Sequence, residues 1–407
     1  MGQTYPPLIF LKDAPGNSFQ RIHDELAACV TPVASWSETE LLRYFTSDLF
    51  MMPSGTVRLM GTEWNEEAEA RLRARMEKTG MVDVPANLKP LFMTDQRNME
   101  TYLKINSVLE DRMRLILSHV HSTGGFAHFD IRAETRDYYL SPILFERWLK
   151  NKQVYKLDED FAYTLISTDS LEMSRYTFAH LPYKSFYVDL SSCKCYFPII
   201  GAFVFVDDFP DRVSISCYLL TDNLVMFSYY GRGYYDANGI AEFNFKDMDI
   251  IDYEMTGITE DDLVKMKSMK DYDFSTTRKA MSVLLLQLIC YLSQDEPQIT
   301  ESDLTKGTYR PRAEGAPVRN KWSEVHISDV GVRFGNKFRK WKKDMEQAKA
   351  GTPHTHHRSP KPHFRSAHWH KYWTGVGRTI PKYNWIEPVF VGYGDTEDTV
   401  IHLVEDK

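Results

Sequence analysis

The segment TRKAMSVLLLQLICYLSQDEP, Thr277 to Pro297, predicts a helix that is apolar on nearly all of its faces. Its longest apolar run extends from Ala280 to Leu292. That run is roughly seven residues shorter than a bilayer span, so the sequence predicts no membrane partner. A helix of this composition has to be covered by other elements, and we expect it to lie across a β-sheet.

The chain before this helix has the period-two pattern of β-strands. From about Leu181, KSFYVDLSSCKCYFPI predicts two strands joined by a Ser-Ser turn. GAFVFVDDF, RVSISCYLLTD and NLVMFSYYG continue the pattern, with turn residues between them. Short connections of this kind favour an antiparallel meander.

The chain before the meander has the three-to-four spacing of amphipathic helices, as in NEEAEARLRARMEK and NMETYLKINSVLEDRMRLILSHVH. Ser37 and Glu40 have the spacing of a capping box at the start of a further helix. We therefore expect an α+β fold. Its predicted parts are a mainly helical N-terminal region (1–165), an antiparallel β-sheet with a buried helix (166–300), a linker (301–327) and a basic C-terminal helix-plus-strands module (328–407).

Charge is unevenly distributed along the chain. The 407 residues carry a net charge of −7, so the whole molecule has no strong attraction for nucleic acid or anionic lipid. From Lys337 to Lys371, however, ten Lys or Arg face only Asp344 and Glu346, a net charge of +8. Segregation on this scale suggests a polyanionic partner.

The location is predicted to be cytoplasmic. The first residues, MGQTYPPLIFLKDAPG, lack the features of a secretion signal. The five cysteines are odd in number and scattered, which fits reduced thiols.

The basic region is predicted to start with a helix, SDVGVRFGNKFRKWKKDMEQ. Phe334, Phe338, Trp341 and Met345 would form one apolar stripe of it. Arg333, Lys337 and Lys340 line an adjacent stripe, with Arg339 and Lys343 nearby. This stripe could contact a polyanion, or it could simply be a solvated basic face.

Next, the loop GTPHTHHRSPKP contains His354, His356 and His357. A flexible loop holds metals poorly, so we expect no functional metal there and no cofactor.

The stretch KPHFRSAHWHKYWTGVGR, Lys361 to Arg378, is unusually rich in imidazole, indole and cation. If it is extended, Phe364, Ser366, His368, His370 and Tyr372 share one face. The opposite face then carries His363, Arg365, Ala367, Trp369, Lys371 and Trp373.

Four interpretations of this arrangement remain open. The rings could stack on unpaired RNA bases while Arg365, Lys371 and Arg378 contact phosphates. His368 and His370 could instead act as base and acid in metal-independent RNA cleavage, with Arg365 stabilising the phosphorane, because the unperturbed pKa of histidine is about 6.5. His368 and His370 could also chelate a transition metal, although no third ligand is identifiable. Alternatively, Trp369, Trp373 and Trp385 could fill a small β core.

The candidate residues follow from these interpretations. The catalytic hypothesis names His368, His370, Arg365 and Tyr372. The nucleic-acid-binding set comprises Arg333, Lys337, Arg339, Lys340, Lys343, Lys361, His363, Arg365, Trp369, Lys371, Trp373 and Arg378.

Parts of the sequence resemble a family carried by phages and plasmids, the type V-A anti-CRISPR proteins. The resemblance rests on DVGVRFGNKFRK, KPHFRSAHWHKYWTG and WIEPVFV, supported by LPYKSFYVDLSS and LLLQLICYLSQDEPQI upstream. It spans about half of the chain, from Leu181 to Val391. The matching positions are Gly331, Arg333, Gly335, Arg339, Pro362, His363, Arg365, His368, Trp369, His370, Trp373, Gly375, Trp385 and Pro388. Ser366 and Glu387 depart from the family pattern, where a basic residue and a proline are common.

The resemblance implies a function and its partners. Such a protein lowers production of a CRISPR effector nuclease by recognising the effector's nascent N-terminal peptide and causing loss of its mRNA. The implied partners are that peptide, together with mRNA or the ribosome, in the cytoplasm of a bacterial host. Alternatives are a metal-independent ribonuclease and a non-catalytic RNA- or protein-binding module.

The peptide-binding residues are not identifiable from the sequence. An exposed edge of the meander could accept an extended peptide by strand addition. The aromatic run Tyr229, Tyr230, Tyr234 and Tyr235 could line a groove, or these could be ordinary strand and turn aromatics.

Overall fold

The structure is a computed structural model of the chain. It describes residues 17–46, 101–102, 104–109, 111, 131–169, 173–193, 199–221, 226–241, 250–251, 274–302, 325–350, 363–378 and 380–391.

Helices occur in three parts of the described chain. The first group is α1 (Ser18–Cys29), a 3₁₀ turn (Thr31–Ser35), α2 (Glu38–Phe45) and α3 (Ile131–Asn151), with residues 104–109 also helical. The second group is α4 (Glu159–Ile166) and α5 (Arg175–Ala179), and the third is α6 (Phe274–Leu292) and α7 (Val332–Ala350).

Several predicted helices are confirmed. Ser37 and Glu40 form the predicted capping box at α2, α6 contains the apolar run and α7 is the basic helix. The predicted helix at residues 65–78 lies outside the described residues.

The strands are β1 (Gln153–Leu157), β2 (Met173–Ser174), β3 (Ser185–Asp189), β4 (Ile199–Asp208), β5 (Arg212–Thr221), β6 (Met226–Tyr234), β7 (Ile240–Ala241), β8 (Ile250–Ile251), β9 (Ile299–Glu301), β10 (His326–Val330), β11 (His363–Arg365), β12 (His368–Thr374), β13 (Ile380–Ile386) and β14 (Val389–Val391). Within the described residues, eight of them form one sheet in the order β8-β6-β5-β4-β3-β1-β10-β9. The pairs β11–β14, β12–β13 and β2–β7 form separate two-stranded sheets.

The fold class is α+β as predicted, but the main sheet is mixed rather than purely antiparallel. The meander from β3 to β6 is antiparallel. In contrast, β1 pairs parallel with both β3 and β10. The connections that lead from β1 to β3, and back to β10, are long crossovers containing helices, and such connections join parallel strands.

The predicted regions share this main sheet. β1 belongs to the region predicted to be mainly helical, and β10 starts inside the predicted linker. Because these two strands pair with each other, residues from both ends of the chain meet beside β3.

The sheet lies between two hydrophobic cores. On one face, Tyr187, Phe203 and Phe205 pack with residues of α1, α2 and α3, including the fully buried Trp148. On the other face, Phe186, Val188 and Val204 pack with α4, α6 and α7. Alternate residues of β3 and β4 thus enter opposite cores, as strand geometry requires.

Helix α6 lies in the second core, as its composition predicts. Leu284, Leu288 and Ile289 are completely buried there. Among the described helices, none combines the length and hydropathy needed to cross a membrane.

Candidate nucleic-acid interface

Helix α7 begins at a tight approach to α4. Gly331 has φ +78°, and a Cβ atom added there would lie 2.1 Å from Cγ of Phe161. At Gly335, an added Cβ would lie 2.0 Å from Oδ1 of Asp158. Both glycines belong to the DVGVRFG segment, and both are needed because larger residues would push α7 off α4.

The same approach pairs basic side chains of α7 with acidic side chains at the start of α4. Arg339 Nη2 lies 2.9 Å from Asp158 Oδ2, and Arg339 Nη1 lies 2.9 Å from Asp160 Oδ2. Lys342 Nζ lies 2.9 Å from Asp160 Oδ1. The hydrogen bonds that Arg339 donates to Asp158 raise the pKa of its guanidinium. Arg339 therefore has a structural role in the fold, whatever else it contacts.

Asp158 also caps α4. Its Oδ1 accepts hydrogen bonds from the backbone N–H groups of Asp160 and Phe161, at 3.1 and 3.3 Å. A carboxylate at a helix N-terminus is favoured by the helix dipole. One side chain thus holds both the start of α4 and the middle of α7.

Other cations of α7 point outward. Arg333, Lys340 and Lys343 are exposed, and the ion pairs of α7 with described carboxylates involve Lys337, Arg339 and Lys342 instead. Lys337 Nζ lies 3.8 Å from Glu387 Oε2. The exposed trio keeps its charge available for a polyanion.

The predicted apolar stripe of α7 faces the second core. Phe334 is buried, and its ring stacks on Phe338 at 5.7 Å. Trp341 continues the row at 5.7 Å from Phe338. The side chain of Met345 lies outside the described residues.

The stretch predicted to be one extended strand is divided in two. β11 ends at Arg365 and pairs with β14, whereas β12 begins at His368 and pairs with β13. Ser366 and Ala367 separate them, and Ala367 is buried in the second core. The predicted continuous strand is therefore interrupted at Ser366 and Ala367.

Within β12, the predicted alternation is present. His368, His370 and Tyr372 pair across the hairpin with Ile386, Asn384 and Lys382. Trp369, Lys371 and Trp373 pair with Trp385, Tyr383 and Pro381. Since cross-strand partners share a face, the hairpin has one imidazole–phenol face and one indole–cation face.

The base of the indole face enters the second core. Trp385 is 6% exposed, and its ring packs edge-on against Phe161, Tyr291 and Phe334. Trp369 donates its Nε1–H to Oε1 of the buried Gln287 in α6. These two indoles anchor the hairpin to α6.

The imidazole face is exposed. Both His368 and His370 are exposed, and so is Arg365 just before them. His368 Nδ1 lies 3.4 Å from the Ser366 carbonyl oxygen. The rings of His370 and Tyr372 are nearly parallel, with 6.1 Å between their centroids.

A polar clamp holds this face to the end of α6. Lys382 Nζ lies 2.9 Å from Asp295 Oδ1, and the Tyr372 hydroxyl lies 3.5 Å from Asp295 Oδ2. Burial, and then Asp295, raise the pKa of the Tyr372 phenol. Hydrogen bonds to Tyr176 and Asp295 raise the pKa of Lys382. Tyr372 is thus a positioned phenol beside His370.

The tip of the hairpin is its most open part. Trp373 is 46% exposed and Val376 is fully exposed. Lys371 Nζ lies 5.2 Å above the Trp373 ring centroid. Tyr372, Trp373 and Arg378 line a cavity of about 500 Å³.

Some predicted residues cannot be placed. Lys361 and the loop histidines His354, His356 and His357 lie outside the described residues, and only the backbone of His363 is described. Among the residues that are described, no group of three or more His, Cys, Asp or Glu side chains is arranged to hold a metal ion.

The candidate peptide groove is partly described. Tyr230 is buried and its hydroxyl lies 2.8 Å from that of Tyr218. The Tyr235 hydroxyl donates to Asp208 at 2.7 Å. These contacts make Tyr230 a core residue and Tyr235 a turn residue, and the side chain of Tyr229 lies outside the described set.

Sequence reasoning missed the acidic and amide partners of the site. Asp158, Gln287 and Asp295 each lie far from α7 or the hairpin in sequence. Asp158 carried one usable signal, because it directly precedes a helical segment and is thus a candidate N-cap. Gln287 carried another, as a lone amide within an apolar helix that needs a hydrogen-bond partner.

Comparison with known proteins identifies the family. Residues 155–393, more than half of the chain, match the model of the AcrVA2-like family, the anti-CRISPR type V subtype A2 family. The chain therefore belongs to this family. The match includes the glycines at the start of α7 and the whole hairpin.

A crystal structure of AcrVA2 is also similar to this chain, with 18% sequence identity and a TM-score of 0.34. The similarity covers 69% of this chain and 86% of that one. Comparison with curated protein sequences finds no match.

Proposed function

We propose that this protein lowers production of a type V-A CRISPR effector nuclease by recognising the effector's nascent N-terminal peptide and causing loss of its mRNA. Family membership supports the anti-CRISPR class. The observations that carry the RNA part of the proposal are the exposure of His368 and His370 on one face of β12 and the exposure of Arg365 at the end of β11. The core holds β12 in place through Trp369 on its other face.

The exposed cations of α7 and the exposed Arg365 support a phosphate-binding role. Arg365, Arg333, Lys340 and Lys343 are exposed. Lys337 joins α7 to the end of the hairpin through Glu387, so α7 runs beside the hairpin base. Each phosphate that these side chains contact releases counterions, so RNA affinity should decrease steeply with salt.

The nascent peptide requires a separate surface. A chain leaving the ribosome is extended, and an extended chain can add to the edge of a sheet through backbone hydrogen bonds. We place this role on the main sheet, since the hairpin carries the basic and imidazole groups that suit RNA. Changing the first codons of the effector gene separates peptide recognition from recognition of the RNA sequence. Synonymous codons keep the peptide and should preserve the mRNA loss. Non-synonymous codons change the peptide and should prevent it.

The test is co-expression with an effector gene, followed by quantification of the effector mRNA. We expect His368→Ala and Arg365→Ala each to abolish the mRNA loss while the protein remains folded and abundant. Tyr163→Ala is the matched control, because Tyr163 is an exposed aromatic residue of α4 and belongs to neither strand of the hairpin. Unchanged mRNA decay in both hairpin variants would overturn the proposal.

A second candidate, a metal-independent ribonuclease, is favoured by one observation. His368 and His370 lie on the same exposed face of β12, two residues apart, which is about 7 Å along a strand. Two imidazoles at this spacing can flank a phosphodiester, one as base and one as acid. Purified protein that cleaves labelled RNA in the presence of a chelator, and loses cleavage in His370→Ala, would support this candidate. If the purified protein binds the RNA without cleaving it, the result would support a non-catalytic RNA-binding role instead.

A further inference from the structure

The tip of the β12–β13 hairpin has a backbone that is unusual for a simple turn. Gly375 and Gly377 have φ of +79° and +77°, and Arg378 has φ of +52°. The turn is closed by a hydrogen bond from the Arg378 N–H to the Gly375 carbonyl, at 3.1 Å. A non-glycine residue in the left-handed region is uncommon, and such residues concentrate at ligand-binding sites.

This turn closes one side of the cavity between Tyr372, Trp373 and Arg378. It is an open pocket at the protein surface, with a volume of about 500 Å³. Among the described residues, those that line it are two aromatic residues and one arginine. That combination suits a flat, anionic ligand.

The Trp373 ring is exposed enough to stack on a ligand. Lys371 lies over one face of the indole, at 5.2 Å, and the ring remains 46% exposed. Burying this ring against a base removes apolar area from water, and the Arg378 guanidinium favours a ligand that carries negative charge. Among the described residues, no carboxylate pairs with Arg378 or lines the cavity, so a cationic ligand is disfavoured.

We infer that this cavity binds one unpaired nucleotide of single-stranded RNA, with its base stacked on Trp373 and its phosphate paired with Arg378. The inference rests on the proposed function, because it assigns the RNA contact to one place. An unpaired strand is required because the bases of an A-form duplex are stacked on each other and cannot reach an indole at a hairpin tip.

The experiment measures binding of a fluorescently labelled, unstructured oligouridylate to the full-length protein by anisotropy. Loss of one base–aromatic stack should weaken binding by about 5- to 150-fold in Trp373→Ala. Trp373→Phe keeps a ring and should recover most of the affinity. Tyr163→Ala, which removes an exposed ring from α4, should bind like the unaltered protein.

A second oligomer separates the base from the backbone. An abasic oligomer of the same length keeps the phosphates and lacks the bases, so its affinity should be unchanged in Trp373→Ala. Arg378→Ala should weaken binding of both oligomers and reduce the salt dependence by about one phosphate contact. Circular dichroism and thermal unfolding check that each variant is folded.

Two outcomes overturn the inference. If folded Trp373→Ala binds oligouridylate as well as the unaltered protein, the base does not stack there. If Trp373→Ala instead loses binding of the effector's N-terminal peptide and keeps RNA binding, the cavity is a peptide site. Either result leaves the proposed function standing as long as effector mRNA still disappears in cells, so the two failures can be told apart.

Discussion

The guanidinium of Arg339 in α7 lies 2.9 Å from the carboxylate of Asp158, which is 181 residues earlier in the chain and caps α4. This pair divides the residues of the basic C-terminal region into two groups. Arg339, Gly331, Gly335, Trp369 and Trp385 fix α7 and the hairpin to the body of the protein. Arg365, His368, His370, Trp373 and Arg378 remain exposed beside them.

Arg339→Lys should destabilise the fold. A lysine lacks the planar fork with which Arg339 donates to Asp158 and Asp160, so we expect a loss of about 1 kcal/mol in the free energy of unfolding. Urea denaturation measures it. Lys340→Ala changes an exposed neighbour and should stay within about 0.5 kcal/mol of the unaltered protein. Equal stability of the two variants would mean that the Arg339 pair is not structural.

Gly335→Ala should also destabilise the fold, although alanine is the better helix former by about 1 kcal/mol. The new Cβ would lie 2.0 Å from Asp158 Oδ1, and overpacking of this kind costs about 1–3 kcal/mol. The change in melting temperature shows whether the substitution stabilises or destabilises the protein. An increase in melting temperature would show that α7 does not approach α4 so closely.

The two hairpin tryptophans should respond differently to substitution by phenylalanine. Trp369→Phe leaves Oε1 of the buried Gln287 without its donor, which should cost about 1–3 kcal/mol of stability. Trp373→Phe, at the exposed tip, should change stability by less than about 0.5 kcal/mol. Paired urea titrations compare them. A larger cost at Trp373 than at Trp369 would reverse their assigned roles.

Stability should decrease at alkaline pH. Burial raises the pKa of Tyr291 to about 12, and burial also raises the pKa of Tyr155 and Tyr187. An unfolded tyrosine has a pKa of about 10, so the unfolded chain releases its proton at lower pH than the folded one. The stabilisation is complete below about pH 10 and is lost as pH rises towards 12.

Tyr291→Phe tests this assignment. Removing the phenol should reduce the slope of unfolding free energy against pH by up to about 1.4 kcal/mol per pH unit in that window. Phe161→Leu, which alters the ring that packs on Tyr291 at 4.7 Å, keeps the Tyr291 hydroxyl, so it should lower stability at all pH values and still show a slope in that window. A slope that is identical in Tyr291→Phe and the unaltered protein would contradict the assignment.

Local patterns were sufficient for much of the fold. The apolar run predicted α6, the Phe334–Phe338–Trp341 spacing predicted the buried stripe of α7, and alternation predicted the two faces of β12. Each of these depends on neighbours within a few turns or residues. For that reason, a single sequence can indicate them.

Long-range partners could not be predicted in the same way. The parallel pairing of β1 with β10 joins residues more than 170 positions apart, and nothing local to Gln153–Leu157 specifies that neighbour. Arg339 looked like any other cation of a basic helix, because Asp158 is adjacent only after folding. The break at Ala367 likewise depends on the core that buries it.

The most direct test of the division between anchoring and exposed residues is the RNA affinity of two folded variants, Arg365→Ala and Arg339→Lys, measured over a range of salt concentrations. We predict that Arg365→Ala weakens binding and lowers the salt dependence by about one phosphate contact, whereas Arg339→Lys binds RNA like the unaltered protein. Weaker binding in Arg339→Lys together with unchanged binding in Arg365→Ala would contradict the account.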